Sequence, residues 1–155
     1  MANSVLWCVR TLSILKWLQI VCSLVAVILL TDGRIQWGLY TVIYVGALLL
    51  IVLTSLTLLL YYFDVHRGTD ALPWTPIELS FNTVATVFLL ISVAVGLYDC
   101  VKMFESQWDH HSYAPPANIG YDGWRNRMAA ITGVLAADAA LYLTSACRTA
   151  RLGIA

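Results

Sequence analysis

Charge is scarce in this sequence. Only 12% of its 155 residues are Asp, Glu, Lys or Arg, about half the share a soluble domain carries. The formal net charge is zero, which leaves no electrostatic case for nucleic acid or any other polyanion. The four cysteines, Cys8, Cys22, Cys100 and Cys147, include no CxxC pair, which excludes a thiol–quinone oxidoreductase of the four-helix kind. No two of the three histidines lie inside an apolar run, so a haem clamped between helices is excluded. Neither an HExxH nor a serine–histidine arrangement occurs, and no N-x-[ST] glycan acceptor is present. These absences predict a protein that is not an enzyme and has no cofactor.

What the chain has instead is apolar length. Sixty per cent of its residues are hydrophobic, gathered in four runs over residues 12–30, 40–63, 77–101 and 128–150. Each is near the roughly 20 residues a bilayer span requires. The expectation is a single domain, residues 1–155, of the all-α integral membrane class: a four-transmembrane-helix bundle with antiparallel, up-down topology. A cleaved signal peptide is the alternative for the first run, but that run ends LLTDG, without the small-x-small residues of a cleavage site. It is read as a retained helix. Trp37 and Tyr40 at one boundary and Tyr61, Tyr62 and Phe63 at another form aromatic belts. Four spans put both termini on one side. Arg10, Lys16, Arg67, Arg148 and Arg151 fall there, against Arg34, Lys102, Arg125 and Arg127 opposite. The acid-free tail tips that near balance toward cytoplasmic termini.

The third run organises the rest. Pro76 stands just before it and Glu78 is expected in its first turn, at the positive end of the helix dipole. Glu78, Asn82 and Thr86, four residues apart, make one polar stripe. This stripe is read as capping the helix and bonding to a neighbour, with a cation site as the rival reading. Ser92, Gly96 and Cys100 continue as a small-residue ladder that admits close helix approach. The fourth run is rich in small residues, with ladders at Ala129, Gly133 and Ala137 and at Ala136, Ala140 and Thr144. It is therefore the expected neighbour of the third.

Asp138 lies near the midpoint of the fourth run, where a carboxylate costs about 2.5–3.5 kcal/mol even on the lenient insertion scale. It is expected to be protonated, hydrogen-bonded inside the bundle, or both, with Gln19, Ser23, Thr54, Ser55 or Ser92 as partners. A protonated acid joining helices is preferred to a proton or cation site. Gln19 and Ser23 share an inward face. Thr54, Ser55 and Thr57 are expected to bond back to their own helix. Asp99 is placed at the membrane interface. His110 and His111, in a long loop from Lys102 to Arg127, could join Asp109 around a metal; solvated loop polarity is the simpler reading, so no metal site is assigned. Cys8 and Cys147 are possible palmitoylation sites, with free packed thiols the plainer alternative. Leu56–Tyr61–Arg67 and Val95–Tyr98–Lys102 match a loose cholesterol-contact pattern.

Four features together resemble the MARVEL-domain family, most closely its MAL/plasmolipin proteolipids and the chemokine-like-factor group. The chain is almost nothing but four spans. A tryptophan-containing lead-in, LPWTPIELSFNTVATVFLL, opens the third span with polar residues. Tyr121-Asp122-Gly123-Trp124 leads toward the fourth, which is alanine-rich and carries the step Ala139 to Leu143. The mid-span Asp138 and the long second outer loop depart from that family's pattern. The resemblance implies a non-enzymatic membrane organiser acting in lipid-domain organisation, vesicle trafficking, membrane apposition or cell junctions. Its implied partners are a sterol- and sphingolipid-rich bilayer and other membrane proteins or further copies of itself. The competing expectation is a small transporter or pore-forming subunit that uses Asp138, with Glu78 and Asn82 as its entrance. A claudin-like protein is excluded by the short, cysteine-free stretch Thr31 to Leu39.

Overall fold

Residues 11–63 and 73–153 are described in the computed structural model, and four helices account for most of them. Helix α1 spans Thr11–Leu30 and tightens into a 3-10 turn over Thr31–Gly33; α2 spans Gly38–Tyr62, α3 Trp74–Phe104 and α4 Gly120–Leu152. No strand occurs among the described residues. All four helices are long and apolar enough to cross a membrane, so the chain is an integral, multi-pass membrane protein with an all-α four-helix fold.

Cross-helix pairs fix the directions. Lys16, near the start of α1, meets Glu78 and Asn82 near the start of α3. Gln19 meets Ser145 near the end of α4, and Tyr40 at the start of α2 meets Asp99 near the end of α3. The helices therefore alternate up and down. The most extensive interface is between α3 and α4; α1 packs on both α4 and α2, whereas α2 and α3 approach at few points. One of those is Gly46, against which the Phe88 ring lies so closely that a Cβ would overlap it.

Burial follows a lipid solvent rather than water. Val42, Val45, Leu49 and Val52 of α2, and Val84, Val87 and Ile91 of α3, are all more than half exposed. Most side chains with hydrogen-bonding groups lie inside, because hydrocarbon offers those groups no partner; the exposed Thr83 and Thr144 instead donate to carbonyls of their own helices.

The two later helices outrun their apolar runs. At 1.5 Å per residue, the 31 residues of α3 extend about 46 Å, well beyond a hydrocarbon core of about 30 Å. Helix α4 begins at Gly120 rather than near Met128, so the connection shortens from the expected 102–127 to residues 105–119. The segment YDGWRNR is polar on one side only and is helical because Trp124, fully buried, anchors the other. Since α3 already begins at Trp74, Pro76 falls in the first turn and Glu78 in the second. The helix dipole is therefore not what accommodates Glu78.

A larger correction concerns α4. Ala129, Gly133, Ala136, Ala137, Ala140 and Thr144 are exposed, and nothing lies within 4 Å of a Cβ built on Gly133. The predicted ladders face outward. The face applied to α3 and α1 carries Met128, Thr132, Leu135, Asp138, Ala139 and Tyr142, because the buried polar groups of α4 must face the bundle and they set the rotation of the helix. On α3 the small-residue ladder does face its neighbour: Ser92, Gly96 and Cys100 are buried. A Cβ on Gly96 would overlap Thr132 Oγ1, and Cys100 Sγ lies 3.9 Å from the same oxygen.

Candidate functional site

Three buried polar groups stand at different depths along the bundle axis. At the end nearest the termini, Lys16 of α1 is fully buried. Its Nζ lies 2.5 Å from Glu78 Oε1 and donates to Asn82 Oδ1 at 3.0 Å. Asn82 Nδ2 donates to Glu78 Oε1 at 2.7 Å and to the Glu78 carbonyl at 2.8 Å. Thr86 Oγ1 donates to the Asn82 carbonyl. The ammonium also faces the rings of Phe81 and Tyr142, 5.0 and 5.8 Å from their centroids, a cation–π shell that partly replaces lost hydration. Glu78, Asn82 and Thr86 are thus brought together as expected, but their partner is Lys16, which the charge tally counts only among the terminal-side cations.

Deeper in, α1 meets α4 twice more. Gln19 Nε2 donates to Ser145 Oγ at 3.0 Å, and Ser23 Oγ donates to Asp138 Oδ2 at 2.6 Å. Asp138 is fully buried, and Ser23 is one of the partners its depth predicted. Asp138 Oδ1 has no hydrogen-bond partner among the described residues. Thr54 departs from expectation: its hydroxyl pairs with Tyr142 Oη at 2.5 Å instead of its own helix, while Thr57 bonds back to Leu53. Of the possible lipidation sites, Cys147 is exposed and Cys8 lies outside the described residues. Tyr61 is 6% exposed and so turns away from lipid, which removes the first cholesterol-contact match; its Arg67 lies outside the described residues.

The third cluster, at the opposite end, overturns the reading of the loop histidines. Asp99, near the end of α3, is fully buried in the protein. Its Oδ2 accepts a hydrogen bond from Tyr40 Oη. His110 Nε2 lies 2.7 Å and His111 Nε2 3.0 Å from its Oδ1. Tyr40 Oη and His111 Nε2 are themselves 3.2 Å apart. The histidines are therefore not solvated loop residues: their side chains are 19% and 2% exposed. The carboxylate they share is Asp99, whereas Asp109 is exposed. The fold explains this. The 105–119 connection is held on the first one by Ser112 N donating to the Gln36 carbonyl at 2.8 Å. That contact carries the imidazoles over the end of α3, where Trp37 and Trp108 pack edge-on or tilted against them.

Both missed residues had a sequence signal. Lys16, Gln19 and Ser23 follow helical spacing, so one inward face holds all three. Asp99 lies 21 residues, three heptads, beyond Glu78, on the face that also carries Asn82, Ser92 and Gly96. No family model, no curated protein and no solved structure matches this chain, so the side chains just described are what bear on its function.

Proposed function

We propose that this protein is a non-enzymatic multi-pass membrane organiser, acting in lipid-domain organisation, vesicle trafficking, membrane apposition or cell junctions. It works in the plasma membrane or endomembrane vesicles with its termini in the cytoplasm. One observation carries the reading: each buried charged group is engaged from another element. Lys16 and Glu78 neutralise each other across α1 and α3. Asp138 is held by Ser23 of α1, and Asp99 by Tyr40 of α2 and two loop histidines. Between these groups the interior is filled by large side chains, among them Trp124, Tyr142, Leu89 and Leu135. Such a bundle is locked on the inside and meets its surroundings through an apolar perimeter. Span length and the exposed aromatics Tyr62 and Phe63 then favour bilayers of matching thickness, whereas Tyr40 and Tyr61 of the expected belts turn inward.

The test is localisation of a tagged full-length chain together with co-purification of its native lipids. Enrichment of sterol or sphingolipid over the bulk membrane is expected. A lipid shell with bulk composition would count against the proposal.

A second reading, a small transporter of protons or cations through Asp138, has one observation in its favour. Asp138 Oδ1 is unpartnered among the described residues, on a polar row that runs from Lys16 through Gln19 and Ser23. Asp138→Asn and Asp138→Leu separate the two. Flux in proteoliposomes that both folded variants abolish selects the transporter; unchanged sorting without flux selects the organiser.

A further inference from the structure

We propose that Asp99, His110 and His111 form a binding site for a divalent transition-metal ion, with zinc as its physiological class of ligand. The site lies at the end of the bundle opposite the termini, where the ion pins the 105–119 connection to α3.

The donor atoms already converge. One carboxylate oxygen and two imidazole nitrogens all lie within 4.8 Å of one another, and both nitrogens are within 3.0 Å of Asp99 Oδ1. In a tetrahedral zinc site with metal–ligand bonds near 2.0–2.1 Å, neighbouring donors stand about 3.3 Å apart. The two hydrogen-bond spacings therefore need to open by only a few tenths of an ångström for an ion to replace the shared protons. Asp99 is held from behind by Tyr40, whose hydroxyl donates to Oδ2 and leaves Oδ1 toward the imidazoles. This is the outer-shell support that metal-bound carboxylates commonly have.

The donor set selects the ion. Two imidazoles and one carboxylate suit Zn²⁺ and its borderline neighbours, whereas Ca²⁺ and Mg²⁺ favour all-oxygen sets. Three protein ligands leave a position for water. A cleft of about 190 Å³, lined by Trp108, His111, Ser112, Tyr113, Pro115 and Tyr121, reaches His111 from the surface and supplies a way in. A buried carboxylate under two adjacent histidines is also more than a loop anchor requires: Ser112 and Gln36 already tie this connection down. The proposal stands independently of the organiser reading.

The experiment uses the full-length chain in detergent micelles. Zn²⁺ is titrated calorimetrically, and Co²⁺ is added in its place for visible absorption. One ion per chain is expected, with Co²⁺ bands of four or five coordination and no competition from Ca²⁺ or Mg²⁺. Removal of an outer-shell partner typically costs about 10- to 100-fold in affinity, so Tyr40→Phe should fall in that range. His110→Gln and His111→Gln should each lose more. Cys100→Ser should bind as the unsubstituted chain does. The proposal is overturned by absence of binding to the unsubstituted chain, a result that needs no folded variant. It is equally overturned if stoichiometry and affinity survive in both histidine variants, or if cobalt–thiolate bands disappear with Cys100→Ser.

Discussion

Removing one member of the Lys16–Glu78 pair should destabilise the bundle far more than removing both. Glu78→Gln leaves an ammonium buried between α1, α3 and α4 with neutral amide oxygens and two ring faces around it but no counter-charge among the described residues. Loss of one partner from a buried ion pair costs about 3–5 kcal/mol. Lys16→Met alone strands the Glu78 carboxylate, whose Oε1 keeps the Asn82 amide but loses its counter-charge, and the cost should be similar. The double variant Lys16→Met, Glu78→Leu removes both charges and fills comparable volume, an exchange that is often neutral or stabilising by about 1–4 kcal/mol. Against that gain, Asn82 loses two side-chain partners, at about 1–3 kcal/mol for a buried polar group left unsatisfied. The two effects nearly cancel. The double variant should lie within about 2 kcal/mol of the parent, well short of the sum of the single costs. The assay is reversible unfolding in mixed micelles, followed by helical circular dichroism. Additive costs, within the roughly 0.5 kcal/mol expected of independent sites, would refute the idea that these groups hold each other.

Gly96→Ala should lower stability by about 1–3 kcal/mol through overpacking, since its Cβ would overlap Thr132 Oγ1. Thermal unfolding should show the loss, and Thr132→Ala in the same chain should recover part of it. Ser23→Ala removes the hydrogen bond that holds Asp138 among the described residues and should cost about 1–3 kcal/mol by the same measurement, with Ser23→Thr closer to the parent. Trp124→Ala should cost about 3–5 kcal/mol, because this ring is fully buried beside Tyr40; tryptophan emission in the remaining chain and unfolding together report it. Tyr142→Phe should be mild, below about 1 kcal/mol, since the Thr54 hydroxyl can turn back to its own helix.

The fold was legible because the hydrophobic runs of a membrane chain report its spans directly. Even so, α4 starts before its apolar run, and only Trp124, anchoring an otherwise polar turn, marks the extension. The site was legible in part, and for a definite reason. Composition treats every charged residue near a span end as surface, which holds for Arg34 and Lys102 but fails for Lys16 and Asp99. What distinguishes the second pair is rotation about the helix axis. Lys16 shares a face with Gln19 and Ser23, and Asp99 with Glu78 and Gly96. The same criterion corrects α4: Gly133 and Ala137 form a ladder by spacing alone, yet Asp138 and Tyr142 on a different face fix which side turns inward. Small side chains tolerate lipid and protein equally, so they do not set the rotation of a helix. A buried carboxylate or phenol does, because an unmet hydrogen bond in hydrocarbon costs several kcal/mol, of order. The depth and angle of the few polar residues therefore specify how these four helices meet, and the apolar majority follows.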